Sequence, residues 1–458
     1  MLNRSRKNEE QGQMFAAVTP LRRTTNAPFV AKIPGSKSFT NRALVLAAQR
    51  QGTTTIEGAL HSEDTELLTN CLNQFKGLSV AKTSGGFVVE RVRAKLLAPD
   101  EDLYIGAAGT PARFLMSFAA AAEGATVITG TQRLCERPMG HLLQSLARMG
   151  VRYECLSAPD HLPVRIWGSP VAAPEWTVDG SVSSQFLSSL LIFAAQQTQE
   201  WITVRVPGHL VSKPYVAMTV QMLRDCGVAV ETRDGQAWVV RPSEPQKSRI
   251  DIEVDASGMS YFLAAGALTR SKVIIPGIGR ESTQGDVGFA RILESMGCRV
   301  RFNKESIELD GAPLHGVDVD METMPDTVLT LAAVASQAVG PTRITNIANL
   351  RVKECDRIHA AVTELRRLGV DAQDGPDFIT IHPTGRITPN LVHTYDDHRV
   401  AMSFGLLRLL HEGIDIENEA CVGKSFPGFW TELARFKNHH DSGRLSDAHS
   451  PDGVLREA

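Results

Sequence analysis

The chain has 458 residues, of which 43% are hydrophobic and 22% charged, and its formal net charge is −3. This length exceeds the roughly 250–300 residues at which a single core stops growing, so two domains are expected. The small negative charge argues against a nucleic-acid-binding protein, and no run of about 18–20 apolar residues suggests a membrane helix.

The first fourteen residues combine basic side chains with Glu9 and Glu10 and contain no apolar stretch. This composition argues against a secretory signal and against a transit peptide. The end of the chain, from about residue 437 to residue 458, is rich in Asp, Ser, Gly and His. We therefore expect polar tails without fixed structure at both ends. The seven cysteines are scattered singly, which is typical of a protein of the reducing cytoplasm.

Between the tails, one local pattern recurs along the chain. A helix that ends in glycine and leads directly into a strand is predicted at Gly77, Gly150, Gly227, Gly297 and Gly369, about every 70–77 residues. Glycine just past a helix end adopts the left-handed conformation without a Cβ clash. Five such helix ends at nearly constant spacing predict an internal repeat.

A second element recurs between those glycines, namely a short polar turn that opens an apolar helix. It occurs six times, at Ser36, Ala107, Ser181, Ser257, Pro325 and Asp396. Each unit then reads strand, helix, strand, helix, strand, strand, which predicts an α/β fold with crossover connections. Six βαβαββ units, three in each of two domains, account for the length of the chain.

The predicted helix starts indicate where a binding site for anions would lie. Helix N-termini carry unpaired N–H groups and a partial positive charge. If the units of each domain are arranged alike, their helix starts face a common cleft that attracts anions. The polar and cationic residues at these turns and in nearby loops agree with such a cleft: Lys37, Ser38, Arg42, Thr110, Arg113, Arg137, Ser183, Ser184, Lys213, His398, Arg399 and Lys424.

Each motif alone also has a purely structural interpretation. The turn Gly35–Ser38 lacks the spacing of a P-loop, and serine helix caps are common. The stretch Arg351–Arg357, at the predicted start of an amphipathic helix, is by default a solvated face with ion pairs between neighbouring turns. Asp326 would complement a helix dipole. The thirteen histidines show no metal-ligand spacing, so no metal site is expected.

Taken together, the motifs resemble those of the EPSP synthase family. They include PGSKSxxNRAL, AGTxxR, DGSVSSQF, LVSKPY, GIGRxSxQGD, RVKExDR and YxDHRxAM, and they extend from about Ile33 to Phe436. The resemblance implies a two-domain inside-out α/β barrel with the substrates bound between the domains. We expect domain one to contain residues 1–33 and 253–458 and domain two residues 34–252, with hinges near residues 33–35 and 253–255.

The resemblance also implies the substrates, shikimate-3-phosphate and phosphoenolpyruvate, and a role for each matching residue. Shikimate-3-phosphate would be held by Lys37, Ser38, Arg42, Ser183, Ser184, Gln185, Ser212, Tyr215, Asn349 and Lys353. Phosphoenolpyruvate would be held by Gly109, Arg137, Gln185, Arg357, Arg399 and Lys424. Asp326 matches the general base, Glu354 the proton donor, and Lys37 a residue that serves the departing phosphate. The family implies no metal, no organic cofactor and no nucleic-acid or membrane partner, and we expect a monomer.

The second turn departs from the commonest family pattern, G-N-A-G-T-A-M-R-P. Here it reads Gly106–Phe114, with alanine at position 107 in place of asparagine and phenylalanine at position 114 in place of proline. Ala107 removes an amide side chain near the phosphoenolpyruvate site. We therefore expect glyphosate, an anionic inhibitor that occupies this site in the family, to inhibit only weakly.

Two other functions remain as alternatives. The UDP-N-acetylglucosamine enolpyruvyl transferases resemble this fold, but their reactive cysteine lies several residues before an Arg-Pro, whereas Cys135 lies two residues before Arg137. A non-catalytic anion-binding protein on the same scaffold would gain nothing from carboxylates at Asp326 and Glu354.

Overall fold

A computed structural model of the chain describes residues 27–448. The first three units contain β1 (Phe29–Val30), α1 (Lys37–Gln49), β2 (Gly52–Glu57), α2 (Glu63–Leu72), β3 (Leu78–Lys82), β4 (Gly86–Arg91), β5 (Leu103–Tyr104), α3 (Gly109–Ala120), β6 (Gly124–Thr129), α4 (Gln132–Cys135), α5 (Gly140–Arg148), β7 (Arg152–Cys155), β8 (Val164–Gly168), β9 (Glu175–Thr177), α6 (Ser184–Ala195), β10 (Ile202–Arg205), α7 (Lys213–Asp225), β11 (Ala229–Arg233) and β12 (Ala237–Arg241).

The remaining units contain β13 (Arg249–Asp251), α8 (Ala256–Thr269), β14 (Lys272–Pro276), α9 (Phe289–Ser295), β15 (Arg299–Phe302), β16 (Ser306–Asp310), β17 (Asp318–Asp320), α10 (Val328–Ala335), β18 (Thr342–Thr345), α11 (Arg357–Arg367), β19 (Asp371–Asp374), β20 (Ile379–His382), β21 (Leu391–Val392), α12 (His398–Gly405), β22 (Asp415–Ile416) and α13 (Phe429–Ala448). Short 3-10 helices cover Gly285–Gly288, Pro325–Thr327, Ala348–Val352, Leu406–Leu409 and Glu419–Lys424.

The repeat is visible in the sheets. Five sheets have four strands each, in which a parallel pair is extended by two antiparallel strands, for example in the order β5-β6-β8-β7. The five glycines predicted to end helices all have positive φ, between 80° and 115°. The sixth unit is shorter than predicted, because its sheet contains only β21 and β22 within residues 27–448. After β22 the chain forms α13 instead of a second strand pair.

The apolar helices lie at the centre and the sheets outside them, as the inside-out fold requires. In one half, α3 packs against α1 and α6, and in the other α10 packs against α8 and α12. Nearly every residue of α6 and α8 is buried, which explains why these helices are apolar on all faces. The molecule has two bodies, which we name by their place in the chain. The central half has the core that runs from Ala43 to Ile250. The outer half is built from both ends of the described chain, and its core contains Phe29, Ala31 and Ala256–Phe436.

The chain passes between the halves twice. Strand β1 pairs in parallel with β14 of the outer half, and β13 pairs in parallel with β2 of the central half. The two connecting segments lie side by side, with Ser36 N donating to Glu253 O over 2.8 Å and Asp255 N to Pro34 O over 2.9 Å. A Cβ at Gly35 would lie 1.9 Å from Gly58 O, so this crossing requires glycine. The domain limits near residues 33–35 and 253–255 stay a prediction, which these pairings support.

The C-terminal tail was expected from about residue 437, but the chain is still helical there. Helix α13 continues to Ala448, and Phe429, Leu433, Phe436 and His440 are buried along it. This spacing of three to four residues places them on one helical face against the outer half, an apolar stripe that the polar composition of residues 437–448 obscures. The predicted N-terminal tail lies outside the described residues up to position 26. Within residues 27–448, no helix has the length and apolarity to cross a membrane.

Candidate active site

The helix starts of both halves meet at one cleft of about 50 Å³. Ser36, Ser183 and Asp397 cap α1, α6 and α12, each accepting a backbone N–H of the first turn. The residues that line the cleft are Lys37, Ser38, Arg42, Asp64, Gly109, Thr110, Arg137, Val182, Ser183, Ser184, Gln185, Val211, Ser212, Tyr215, Pro325, Asp326, Asn349, Lys353, Glu354, Arg357, His398 and Arg399. This set contains every residue to which the resemblance gives a role except Lys424, which contacts the lining residue Asp64. Arg113 and Lys213, which were expected at the cleft from the predicted helix starts and loops, are not among the lining residues.

Arg42 forms the base of the central half's side of the cleft. Its Nε donates to Thr219 Oγ1 over 2.7 Å, Nη1 to Ser38 O over 2.9 Å and Nη2 to Tyr215 O over 3.0 Å. The ring of Phe114 lies 5.4 Å from its guanidinium carbon. Burial lowers the pKa of Arg42 to about 10, so the side chain stays cationic at neutral pH. The phenylalanine that departs from the family pattern therefore packs against Arg42, a residue that the resemblance assigns to shikimate-3-phosphate.

On the outer half, Asp326 is held by two arginines. Its Oδ1 lies 3.0 Å from Arg357 Nη1 and its Oδ2 2.7 Å from Arg399 Nη2, and Tyr215 donates to Oδ2 over 3.2 Å. Burial alone would raise the pKa of Asp326, but the charges of Arg399, Arg357 and Lys353 outweigh it and lower that pKa. The carboxylate is therefore ionised and able to accept a proton.

Glu354 lies beside Asp326 and shares an arginine with it. Its Oε2 is 2.9 Å from Arg357 Nη2 and its Oε1 is 3.6 Å from Arg137 Nη1, across the cleft. Burial opposes ionisation, yet Arg357 and Arg137 lower the pKa of Glu354 well below its usual range. In this arrangement Glu354 is a carboxylate. Arg137 also touches α3, since a Cβ at Gly109 would lie 2.5 Å from its Nη1, so only glycine leaves room for it.

Asp64 joins two lysines of the site. Its Oδ2 lies 3.1 Å from Lys37 Nζ and its Oδ1 2.9 Å from Lys424 Nζ, which also donates to Ala107 O over 3.0 Å. Burial would raise the pKa of Asp64, but the two lysines lower it. Sequence reasoning missed this carboxylate because an acid in the first turn of α2 is ordinarily a dipole charge.

Lys353 lies on a segment that the sequence analysis assigned to a helix. Helix α11 begins only at Arg357, because Asp356 caps it through His359 N at 3.0 Å. Lys353 follows the 3-10 helix Ala348–Val352 instead, which brings its side chain into the cleft. Burial lowers its pKa to about 8.

Three further groups contact the site without having been assigned a role. Asp286 accepts from Ser257 Oγ and, over 3.5 Å, from Tyr215 OH, and burial raises its pKa to about 7. His398 is fully buried, and neither ring nitrogen has a hydrogen-bond partner among the residues that the structure describes. Arg113 Nη1 donates to Gln185 Oε1 over 2.7 Å. Arg113 and His398 were expected among the polar and cationic residues at the helix starts, but the resemblance gave them no role. Asp286 stands within the recognised motif GIGRxSxQGD, where no charge pattern distinguished it from a structural residue.

Comparisons with known proteins agree on one family. A family model described as EPSP synthase (3-phosphoshikimate 1-carboxyvinyltransferase) matches residues 28–433. A 3-phosphoshikimate 1-carboxyvinyltransferase of Colwellia psychrerythraea is 40% identical over 417 residues, which cover 88% of this chain and 95% of the relative. The corresponding protein of Klebsiella pneumoniae is 39% identical over 413 residues, with the same coverage of both chains.

Solved structures give the same result. The EPSP synthase of Acinetobacter baumannii aligns with a TM-score of 0.74 at 27% identity and covers 90% of this chain and 97% of its own. The enolpyruvyl transferase NikO of Streptomyces tendae, at 19% identity and a TM-score of 0.68, shares the fold, covering 90% of this chain and 95% of its own. The chain therefore belongs to the EPSP synthase family.

Proposed function

We propose that this carboxyvinyl transferase of the shikimate pathway uses the cleft to transfer the enolpyruvyl group of phosphoenolpyruvate to the 5-hydroxyl of shikimate-3-phosphate. Phosphate is the second product. The observation that carries the proposal is the arrangement of Asp326 and Glu354, two carboxylates bound to the same arginine, Arg357, and surrounded by cations of both halves. An anion-binding protein without catalysis would be weakened by those two carboxylates.

The cleft of about 50 Å³ is far smaller than the roughly 300–1,000 Å³ of typical ligand pockets. Its cations are already paired with the protein's own carboxylates, Arg399 with Asp326 and Arg137 with Glu354. Two anionic substrates enter only if the halves separate or these ion pairs exchange partners. We infer that phosphoenolpyruvate replaces the carboxylates on Arg137, Arg357 and Arg399.

This exchange prepares the two acids for their different tasks. When the arginines bind substrate, Glu354 loses the charges that hold its pKa low, so it takes up a proton. Glu354 then protonates the methylene carbon of phosphoenolpyruvate, while the 5-hydroxyl oxygen attacks C2 and gives its proton to Asp326. As the C–O bond to phosphate breaks, a methyl proton returns to Glu354, the C=C bond re-forms, and the proton held by Asp326 is passed to the departing phosphate, so that both acids regain their starting state. Lys37, which pairs with Asp64 at 3.1 Å, would supply the cation that the departing phosphate needs.

The two substrates would occupy different parts of the cleft, and each would contact residues of both halves. Ser183, Ser184, Arg42 and Lys353 form the proposed shikimate-phosphate side, where Asn349 Nδ2 also donates across the cleft to Ser212 Oγ over 3.3 Å. The UDP-N-acetylglucosamine alternative is disfavoured, because its reactive cysteine has no counterpart in the lining: the Cys135 thiol donates to Gly130 O over 3.7 Å instead.

The test is a phosphate-release assay with phosphoenolpyruvate and either shikimate-3-phosphate or UDP-N-acetylglucosamine as acceptor. We expect phosphate release when shikimate-3-phosphate is the acceptor and none when UDP-N-acetylglucosamine is the acceptor. Phosphate release only with UDP-N-acetylglucosamine would refute the proposal. We further propose a cytoplasmic location, supported by seven cysteines that form no disulfide. The monomer stays a prediction.

A further inference from the structure

Arg133, on the short helix α4 of the central half, reaches across the cleft to the outer half. Its Nε donates to Glu354 O over 3.1 Å and its Nη2 to Lys353 O over 3.0 Å. Both acceptors are main-chain carbonyls. The residues that carry them supply the proposed proton donor and a proposed shikimate-phosphate lysine, yet Arg133 itself does not line the cleft.

The two carbonyls are free to accept these bonds because of local structure. They lie between the 3-10 helix that ends at Val352 and the cap residue Asp356 of α11. Within residues 27–448, no backbone N–H donates to either carbonyl. When the halves separate, only water remains to satisfy them. Closure therefore exchanges two hydrated carbonyls for two charge-assisted hydrogen bonds.

The guanidinium is held in orientation by its own helix. Nη1 of Arg133 lies 3.5 Å from Glu136 Oε2, three residues further along. One turn on, Arg137 contacts the Glu354 carboxylate at 3.6 Å. Two arginines four residues apart thus contact Glu354 at two points, Arg133 at its main chain and Arg137 at its side chain.

We propose that Arg133 is a main-chain latch, a positioning residue that holds the cleft closed and places Glu354 and Lys353 for the reaction. This inference rests on the proposed function of the cleft. Because the latch binds carbonyls, it operates whatever side chains stand at positions 353 and 354. A lysine at position 133 offers a point charge instead of a planar fork, so it replaces one of the two bonds.

The experiment compares Arg133→Ala, Arg133→Lys and the control Arg165→Ala. Arg165 lies on β8 with 38% of its side chain exposed, close to the 41% of Arg133, and pairs with Glu154. Steady-state phosphate release gives kcat/KM for phosphoenolpyruvate, and small-angle X-ray scattering measures how far shikimate-3-phosphate compacts each protein.

For Arg133→Ala we expect kcat/KM to fall about 10- to 100-fold. This is less than the loss of two buried bonds to a charged group would give, because Arg133 is 41% exposed and water weakens both bonds. We also expect reduced compaction and an unchanged melting temperature. Arg133→Lys should recover part of both effects, and Arg165→Ala should match the natural protein. Equal kinetics and compaction in Arg133→Ala and Arg165→Ala would overturn the proposed role of Arg133 but leave the proposed function of the cleft standing. Absence of phosphate release by the natural protein would refute the proposed function instead.

Discussion

Replacing Asp326 by asparagine separates its proposed role in proton transfer from its role as a competitor for substrate cations. The carboxylate accepts from Arg357 at 3.0 Å and from Arg399 at 2.7 Å. An amide keeps one acceptor oxygen, so one arginine loses its bond to position 326 and becomes more available to an anion. Arg357 still has Glu354 and Asp397 as partners, and Arg399 still has Tyr261 and Ser257. Loss of a general base should lower kcat by about 10²–10⁴, which corresponds to roughly 2.7–5.5 kcal/mol.

The same substitution should leave the KM for phosphoenolpyruvate unchanged or lower it, because the internal competitor is gone. The variant without ligand should melt earlier, since the loss of a hydrogen bond at a buried arginine costs about 1–3 kcal/mol, and added inorganic phosphate should restore more stability to it than to the natural protein. Phosphate release and thermal melting measure these effects, with the exposed Asp320→Asn as control. Near-normal kcat, or a raised KM with normal kcat, would refute the reasoning.

Four further outcomes are expected. Glu354→Gln should lower turnover by about 10²–10⁴ while shikimate-3-phosphate binding, measured by calorimetry, survives; near-normal turnover would contradict its role as proton donor. Arg399→Ala should chiefly raise the KM for phosphoenolpyruvate and Lys353→Ala that for shikimate-3-phosphate, and equal effects on both substrates would undo the division. Because the pKa of Lys353 is lowered to about 8, its charge is present below pH 8 and lost above it. The KM for shikimate-3-phosphate should therefore rise about tenfold per pH unit above 8, whereas Lys353→Arg should show no such rise. Glyphosate should inhibit weakly, and Ala107→Asn should increase inhibition at fixed phosphoenolpyruvate. We prefer this single change to a double variant with Phe114→Pro, which would remove a buried ring and a helical N–H donor; strong inhibition that Ala107→Asn leaves unchanged would contradict the expectation.

The repeat and the anion-attracting helix starts were predictable because they depend on local chemistry, whereas the residue-by-residue site was expected from the family motifs. Glycines at helix ends and polar turns before apolar helices are written in consecutive residues, and the six helix starts follow from them. The shorter sixth unit could not be predicted, because no turn signal in the sequence shows that its last two strands are missing. Nor could the extension of α13, whose buried face includes His440 among polar neighbours.

Residues that act through distant partners were the ones that sequence reasoning missed. Asp64 is an ordinary first-turn acid until folding brings Lys424 to within 2.9 Å, 360 positions along the chain. Arg133 contacts the main-chain carbonyls of Lys353 and Glu354. Every residue has such a carbonyl, so the side chains at these positions do not indicate the contact. Such pairings depend on how the two halves close, which no local window of sequence contains.

The crossing of the chain also sets an order for synthesis on the ribosome. Strand β1 is made first, but its partner β14 emerges about 240 residues later. In the folded protein Phe29 is buried against Phe262 and Phe436. During synthesis it therefore has no partner until the whole central half has been made. That half is contiguous and completes its last sheet as soon as β13 emerges, so it can fold before the outer half, which is assembled last.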